Sequence, residues 1–241
     1  MEIASRASKG RIAPERRPRW IVGVEAVSVL AFVGLWGWLA AGAVGAVDLP
    51  RLAWLVPLAA VLGFLAADFV SGCVHWLADR YFDPGTPLLG PLLVAPFREH
   101  HRDPEDITRH GFLELLGNNA LATLPMGLAL VAWVRPEQGL RSQLLQAGVC
   151  SLALALFFTN AFHRWAHSAS PPRVIGWLQR RGLVLSPEKH ALHHAGAHDR
   201  SYCVTSGWLN PLLDRLGFFS RAENGIEAAR VRLRRSSAAA R

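Results

Sequence analysis

The chain of 241 residues is poor in cysteine and in charged residues. Its three cysteines, Cys73, Cys150 and Cys203, follow no recognisable pairing pattern, so the sequence predicts core thiols in a reducing setting and no disulfide framework. Charged residues make up 18% of the chain and hydrophobic residues 51%, and the mean hydropathy is +0.20. This balance is unusually apolar for a soluble domain and indicates a membrane protein.

Several common catalytic and binding motifs are also absent. The chain has no Gly-x-Ser-x-Gly nucleophile elbow, no Walker-type phosphate loop, and no zinc-finger or RNA-binding signature. The zinc-protease string His-Glu-x-x-His is missing as well, because Arg164 stands at its glutamate position between His163 and His167. The sequence therefore excludes a zinc protease of that type and gives no support to a nucleic-acid partner.

Four apolar stretches approach the roughly 20 residues that a helix needs to cross the hydrocarbon core of a membrane. They run from Trp20 to about Val47, from Leu52 to about Val74, from Leu115 to Val134 and from Leu144 to about Phe162. For the last two, buried helices of a soluble core are the alternative. The sequence predicts an all-α integral membrane protein with about four transmembrane helices and a histidine-rich cap on the cytoplasmic side.

Basic residues indicate the orientation of these spans. Residues 1–19 form a predicted basic N-terminal arm, which the positive-inside rule assigns to the cytoplasm. With four spans, the two outer loops carry only Arg51, Arg135 and Arg141. Residues 20–220 are the predicted membrane domain, and residues 221–241 a basic tail expected to be a fraying surface helix. Topology and contact with anionic lipid therefore explain the net charge of +8.

All ten histidines fall between His75 and His198, and on this topology they share one membrane face. Ten imidazoles are too many for one zinc ion, which takes four ligands, and they suit two metal ions. Neighbouring residues in a helix diverge by about 100°. Both members of the pair His100-His101 can therefore bind only where there are two metals or a bent backbone.

The candidate ligands combine imidazoles with one carboxylate. His75 and Asp79 are four residues apart on one helix face, where Asp79 either binds a metal or orients an imidazole. The candidate metal ligands are His75, Asp79, His100, His101, His110, His163, His167, His190, His193, His194 and His198. The candidate catalytic residues are the histidines of this set other than His110 and His198. As an isolated histidine, His110 is more typical of a structural role.

Other classes of histidine protein account for less of this pattern. A bis-histidine haem protein needs two axial ligands per haem and leaves several imidazoles unexplained. A metal transporter holds its ligands near the bilayer midplane. A non-enzymatic membrane metal or haem binder stays open as an alternative. Iron-dependent oxidation of a membrane-held substrate explains more of the observations.

An ordered series of motifs resembles the plasmanylethanolamine desaturase family, which has a Kua-type lipid desaturase domain. The resemblance covers roughly residues 55–220 and rests on a series of short strings. The main ones are Ala67-Asp68-Phe69, His75-Trp76, Pro96-Phe97-Arg98-Glu99-His100-His101, Ile107-Thr108-Arg109-His110, Phe158-Thr159-Asn160, Lys189-His190, His193-His194 and Gly207-Trp208-Leu209-Asn210.

The resemblance implies a membrane di-iron enzyme that forms the vinyl ether double bond of plasmalogens. Its substrate would be the membrane phospholipid 1-alkyl-2-acyl glycerophosphoethanolamine, with O2 as co-substrate and two iron ions as cofactors held by the matched histidines. A separate cytochrome b5-like or ferredoxin-like protein would supply two electrons. A fatty-acyl or sterol hydroxylase or desaturase of the histidine-box type is the alternative. Richness in Ala, Gly and Arg favours a bacterial inner membrane, whereas a eukaryotic chain would reside in the endoplasmic reticulum.

Overall fold

The structure is a computed structural model that describes residues 18–45, 54–87, 90, 94–133 and 139–239. The described residues form helices and loops, without strands, which confirms the all-α prediction. The helices are α1 (Arg19–Gly45), α2 (Leu55–Arg80), α3 (Ala95–Arg102), α4 (Asp106–Arg109), α5 (Phe112–Trp133), α6 (Leu140–Ala166), α7 (Arg173–Arg180), α8 (Pro187–His194), α9 (Asn210–Arg215) and α10 (Phe218–Ala239). Most of the predicted basic arm, residues 1–17, lies outside the described residues.

Four of these helices are long and apolar enough to cross a membrane, as the sequence predicts. They are α1, α2, α5 and α6, and the weaker pair of predicted spans corresponds to α5 and α6. α2 and α6 both continue beyond their predicted apolar stretches, to Arg80 and Ala166. These extensions carry His75, Asp79 and His163 and bring them to the same end of the bundle.

α6 is the central helix of the bundle, with α2 on one side and α5 and α1 on the other. Small residues let the backbones of α2 and α6 touch, because a Cβ on Gly63 would overlap the carbonyl oxygen of Gly148. The Ser151 hydroxyl donates to the Ala60 carbonyl across the same contact at 2.7 Å. Close backbone approach and interhelical hydrogen bonds drive helix association in lipid, where apolar burial contributes little.

The other side of the bundle is an aromatic core between α1 and α6. Phe32 stacks on Phe157 with ring centroids 4.1 Å apart, and Trp36 and Leu39 extend the buried cluster along α1. The side-chain amide of Gln146 donates to the Leu39 carbonyl. α1 is thus fixed against α6 by both packing and a buried polar contact.

A cap of short helices and loops covers the end of the bundle where α2 and α6 terminate. It contains α3, α4, α7, α8, α9 and a buried loop from Ser201 to Gly207. α10 then packs its first half on α2, where the Trp76 indole donates to Glu223 at 3.0 Å. The segment predicted as a basic tail is therefore helical through Ala239, and its first turns pack against the core of the cap through Ala222 and Ile226.

Candidate metal centre

Four helices bring nine potential metal ligands together at the capped end of the bundle. They come from the end of α2, from α3, from the end of α6 and from α8. The ligand atoms divide into two groups, each with its atoms within 4.8 Å of one another. The five-histidine group consists of His100, His163, His167, His190 and His194. The aspartate group consists of His75, Asp79, His101 and His193.

In the five-histidine group, three Nε2 atoms converge around His190. His190 Nε2 lies 2.8 Å from His163 Nε2 and 3.0 Å from His194 Nε2. Nitrogens bound to one ion at about 2.1 Å, at right angles or wider, lie about 3 Å apart or more. The His163 and His167 rings, four residues apart, have centroids separated by 5.3 Å, so they share a helix face as predicted. The spacing suits a single metal ion.

In the aspartate group, three imidazoles surround the Asp79 carboxylate. Asp79 Oδ2 lies 3.4 Å from His75 Nε2 and 3.7 Å from the Nε2 atoms of His101 and His193. The Nε2 atoms of His101 and His193 are 3.1 Å apart. The predicted i, i+4 pairing of His75 with Asp79 is therefore present, and the carboxylate lies among the imidazole nitrogens rather than behind a ring.

Backbone carbonyls fix the orientation of two rings in the aspartate group. His75 Nδ1 lies 3.1 Å from the Tyr202 carbonyl oxygen, and His193 Nδ1 lies 2.8 Å from the Arg200 carbonyl oxygen. A carbonyl only accepts, so each Nδ1 carries the proton and donates it. Each Nε2 then presents a lone pair toward Asp79, which is the tautomer that a metal ligand needs.

The loop that supplies these carbonyls is held by buried carboxylate and amide groups. Asp68, fully buried in α2, accepts hydrogen bonds from the backbone N–H groups of Ser206, Gly207 and Leu209 at 2.7–3.1 Å. Asp214 accepts from both the backbone N–H and the hydroxyl of Ser201. The loop thus has little freedom to move its carbonyls away from the imidazoles.

Burial keeps the cap imidazoles neutral. Desolvation, with a smaller effect from neighbouring imidazoles, lowers the pKa of His100 to about 2 and of His101 and His193 to about 3. The same causes lower the pKa of His167 and His194 to about 4. A neutral imidazole is the form that binds a metal ion. At neutral pH these side chains are therefore ready to bind a metal ion without first losing a proton.

Two groups of atoms in the site are explained by a cation. Both carboxylate oxygens of Asp79 are buried and accept no hydrogen bond. The Nε2 atom of His167 is also buried and has no hydrogen-bond partner. Buried polar atoms without partners are costly. A metal ion in each group would bind the Asp79 carboxylate and the His167 nitrogen, so the donor set fits a metal centre for two ions.

Two of the candidate ligands lie outside both groups, which differs from the predicted set. His110 sits between carboxylates, with Nε2 3.1 Å from Asp106 and Nδ1 3.5 Å from Glu114. His198 stacks on His101, with ring centroids 4.4 Å apart. The i, i+4 neighbours of His110 hold its ring away from the groups, as its isolation in the sequence suggests.

The sequence does not mark the loop and its supports as site residues. A carbonyl carries no signature, because every residue has one, so nothing marks Arg200 or Tyr202. Asp68 did carry a signal, since an acidic residue inside an apolar span calls for a function or a partner. The partner is the loop's backbone.

Comparison with known proteins identifies the family of the chain. The family model described as a lipid desaturase domain matches residues 64–236. The chain is 40% identical over 206 residues to the plasmanylethanolamine desaturase of Myxococcus xanthus, covering 86% of this chain and 69% of that protein. It is 39% identical to plasmanylethanolamine desaturase 1 of Mus musculus, covering 72% of this chain and 65% of that protein.

More distant relatives carry another name. The chain is 36% identical to the chloroplastic fatty acid desaturase 4 of Arabidopsis thaliana, over 69% of this chain and 50% of that protein. No solved structure shows significant similarity to the chain. The family match runs from within α2 through most of α10 and includes every member of both ligand groups. The chain belongs to the lipid desaturase family of multi-pass membrane proteins, whose named relatives are oxidoreductases.

Proposed function

We propose that this protein is a plasmanylethanolamine desaturase. The substrate is a 1-alkyl-2-acyl glycerophosphoethanolamine. The reaction removes one hydrogen from each of the first two carbons of its alkyl chain, counted from the ether oxygen. The C–C bond becomes the vinyl ether double bond, and O2 combines with these two hydrogens, two electrons and two protons to give two molecules of water. The names of two relatives, at 40% and 39% identity, support this substrate.

The observation that carries the proposal is the pair of ligand groups at one end of a membrane-spanning bundle. Removing hydrogen from an alkyl chain is beyond any side-chain acid or base, so the site needs a redox metal. Imidazoles with one carboxylate suit iron. When bound, two iron ions would supply the activation of O2 and the removal of hydrogen.

We propose that the nine members of the two groups hold these ions. His110 and His198 then have other roles: His110 pairs with carboxylates in the cap, and His198 supports the ring of His101. The carbonyls of Arg200 and Tyr202 keep His193 and His75 in the ligating tautomer. Burial of the groups excludes water from the reacting carbons.

We propose that the site faces the cytoplasm, in a bacterial inner membrane, and that a separate protein delivers the electrons. The excess of Lys and Arg at the capped end supports this orientation. A cytochrome b5-like or ferredoxin-like carrier, each a one-electron donor, would act twice per double bond.

A fatty-acyl desaturase is the second candidate, because relatives at 34–36% identity bear the name fatty acid desaturase 4. The two functions differ in where the double bond forms. The vinyl ether is labile to acid, whereas a double bond within an acyl chain is not.

The test is expression of the chain in cells that contain the 1-alkyl lipid and lack vinyl ethers. Mass spectrometry before and after acid treatment should reveal acid-labile lipid with the wild-type chain and none with His193→Ala. His110→Ala is the matched control and should retain activity. A new double bond in an acyl chain without acid-labile lipid would identify the second candidate instead.

A further inference from the structure

A cavity of about 570 Å³ lies between α2 and α5, inside the membrane-spanning part of the bundle. It exists because α6 packs on both helices while α2 and α5 make little contact with each other. Its volume falls within the roughly 300–1,000 Å³ typical of small-molecule sites.

The cavity begins next to the metal ligands and runs away from them. Val74 and Asn160 line its near end, beside His75 and one helical turn before His163. Leu152 lines the far end, eight residues before Asn160, which is about 12 Å deeper at 1.5 Å per residue. Leu121 of α5 lines the cavity and is 40% exposed.

Two asparagines around the cavity connect the helices. The Asn119 side-chain amide donates to the Leu156 carbonyl at 2.7 Å, and the Asn160 amide donates to the Leu115 carbonyl at 3.3 Å. Both bonds join α5 to α6, and they fix the distance between these two walls. The rest of the lining is largely hydrocarbon, contributed by Val70, Val74, Leu121, Met126, Leu152 and Leu156.

We propose that this cavity binds the remote part of the hydrocarbon chain whose first carbons are desaturated. The chain enters sideways between α2 and α5 from the lipid phase and extends from the metal centre toward Leu152. The statement that the bound chain is the one desaturated rests on the proposed function. The binding of a lipid chain in the cavity does not. Lipid and cavity are similarly apolar, so the cavity selects by length and shape rather than by hydrophobicity.

Leu152 then sets the length of chain that fits. Leu152→Trp should shorten the preferred chain, and Leu152→Ala should lengthen it. Leu154→Trp is the matched control, because Leu154 is on the same helix but is 53% exposed and outside the cavity lining. The opposite directions expected at position 152 separate a change in fit from a loss of folding.

Photocrosslinking tests chain binding independently of the reaction. The full chain in nanodiscs is irradiated with two phosphatidylethanolamine probes, one 1-alkyl and one diacyl, each with a diazirine near the end of its sn-1 chain. Crosslinks mapped to single residues are expected on Leu152 and Met126, reduced at least about tenfold by Leu152→Trp and unchanged by Leu154→Trp. Equal labelling of exposed Leu128 and Leu154, unaffected by Leu152→Trp, would overturn the proposal.

Product analysis with 1-alkyl lipids of graded chain length separates the two proposals. Vinyl ethers formed by both Leu152 variants with the wild-type chain-length profile would refute the cavity and leave the proposed function intact. Cavity crosslinks without vinyl ether from any lipid would support the cavity and refute the proposed function.

Discussion

His100 and His101 are neighbours in α3, yet His100 belongs to the five-histidine group and His101 to the aspartate group. Their ring centroids are 4.5 Å apart with an interplanar angle of 61°. His193 and His194 in α8 divide between the groups in the same way. Because helical neighbours point about 100° apart, each pair can link two metal positions that one helix face could not reach.

Removal of either member of the α3 pair should therefore cost one metal position and spare the other. We expect His100→Ala and His101→Ala to lower the metal content from about two ions per chain to about one. Mass spectrometry measures how much metal remains in each variant. Mössbauer spectroscopy of the remaining ion should give different spectra for the two variants. Identical residual spectra would contradict the division into two groups.

The Asp214 carboxylate, which holds the loop at Ser201, should control the metal affinity of the aspartate group. Ser201 has a left-handed backbone, φ 56°, stabilised by two hydrogen bonds to Asp214, next to the Arg200 carbonyl that His193 contacts. Loss of such support typically weakens metal binding by about 10–100-fold. We expect Asp214→Asn to do so in competition with a chelator.

The matched control is Asp199→Asn, which removes the same charge from an exposed residue two positions before Ser201. It should leave the affinity unchanged. Equal weakening in both variants would indicate an effect of charge rather than of loop position.

Acid should destabilise the metal-free protein over a defined pH range. The folded state holds His100, His193 and His194 with pKa values of about 2, 3 and 4, whereas an unfolded histidine has a pKa near 6.5. The unfolded chain therefore binds more protons below about pH 6.5, and stability falls as pH drops from there toward 4. Thermal unfolding of the chelated protein in detergent should follow this trend.

A variant with one fewer buried imidazole provides the control. The fall in unfolding temperature should be shallower for His194→Gln than for the wild type. An unfolding temperature that stays constant between about pH 7 and pH 4.5 would contradict the low pKa values of the cap histidines.

The glycine contact between α2 and α6 should be sensitive to a single methyl group. A Cβ at position 63 meets backbone of Gly148, which cannot rotate away, whereas a Cβ on Gly34 of α1 meets nothing within 4 Å. Overpacking typically costs about 1–3 kcal/mol. Gly63→Ala should lower the unfolding temperature in detergent and Gly34→Ala should not. An unfolding temperature of the Gly63→Ala variant equal to that of the wild type would show that α2 and α6 pack less closely than described.

Much of the site follows from the sequence because helix geometry and membrane topology constrain it. Four spans bring the histidine segments to one face, and i, i+4 spacing joins His75 to Asp79. The separation of His100 from His101 follows from the turn angle of a helix. These are local rules, and the structure agrees with each.

The remaining features depend on contacts between distant segments. The carbonyls of Arg200 and Tyr202 act through a loop held by Asp68, about 130 residues earlier in the chain. The cavity depends on how α2, α5 and α6 pack together.

The proposed function requires that two irons bind in the two groups and carry out the desaturation. Its most direct test is iron quantification with Mössbauer spectroscopy on purified protein that forms vinyl ethers with a reductant and O2. We expect about two irons per chain with a coupled spectrum, and about one iron and no vinyl ether after His193→Ala. Full vinyl ether formation by protein that contains no iron, or by the His193→Ala variant, would contradict it.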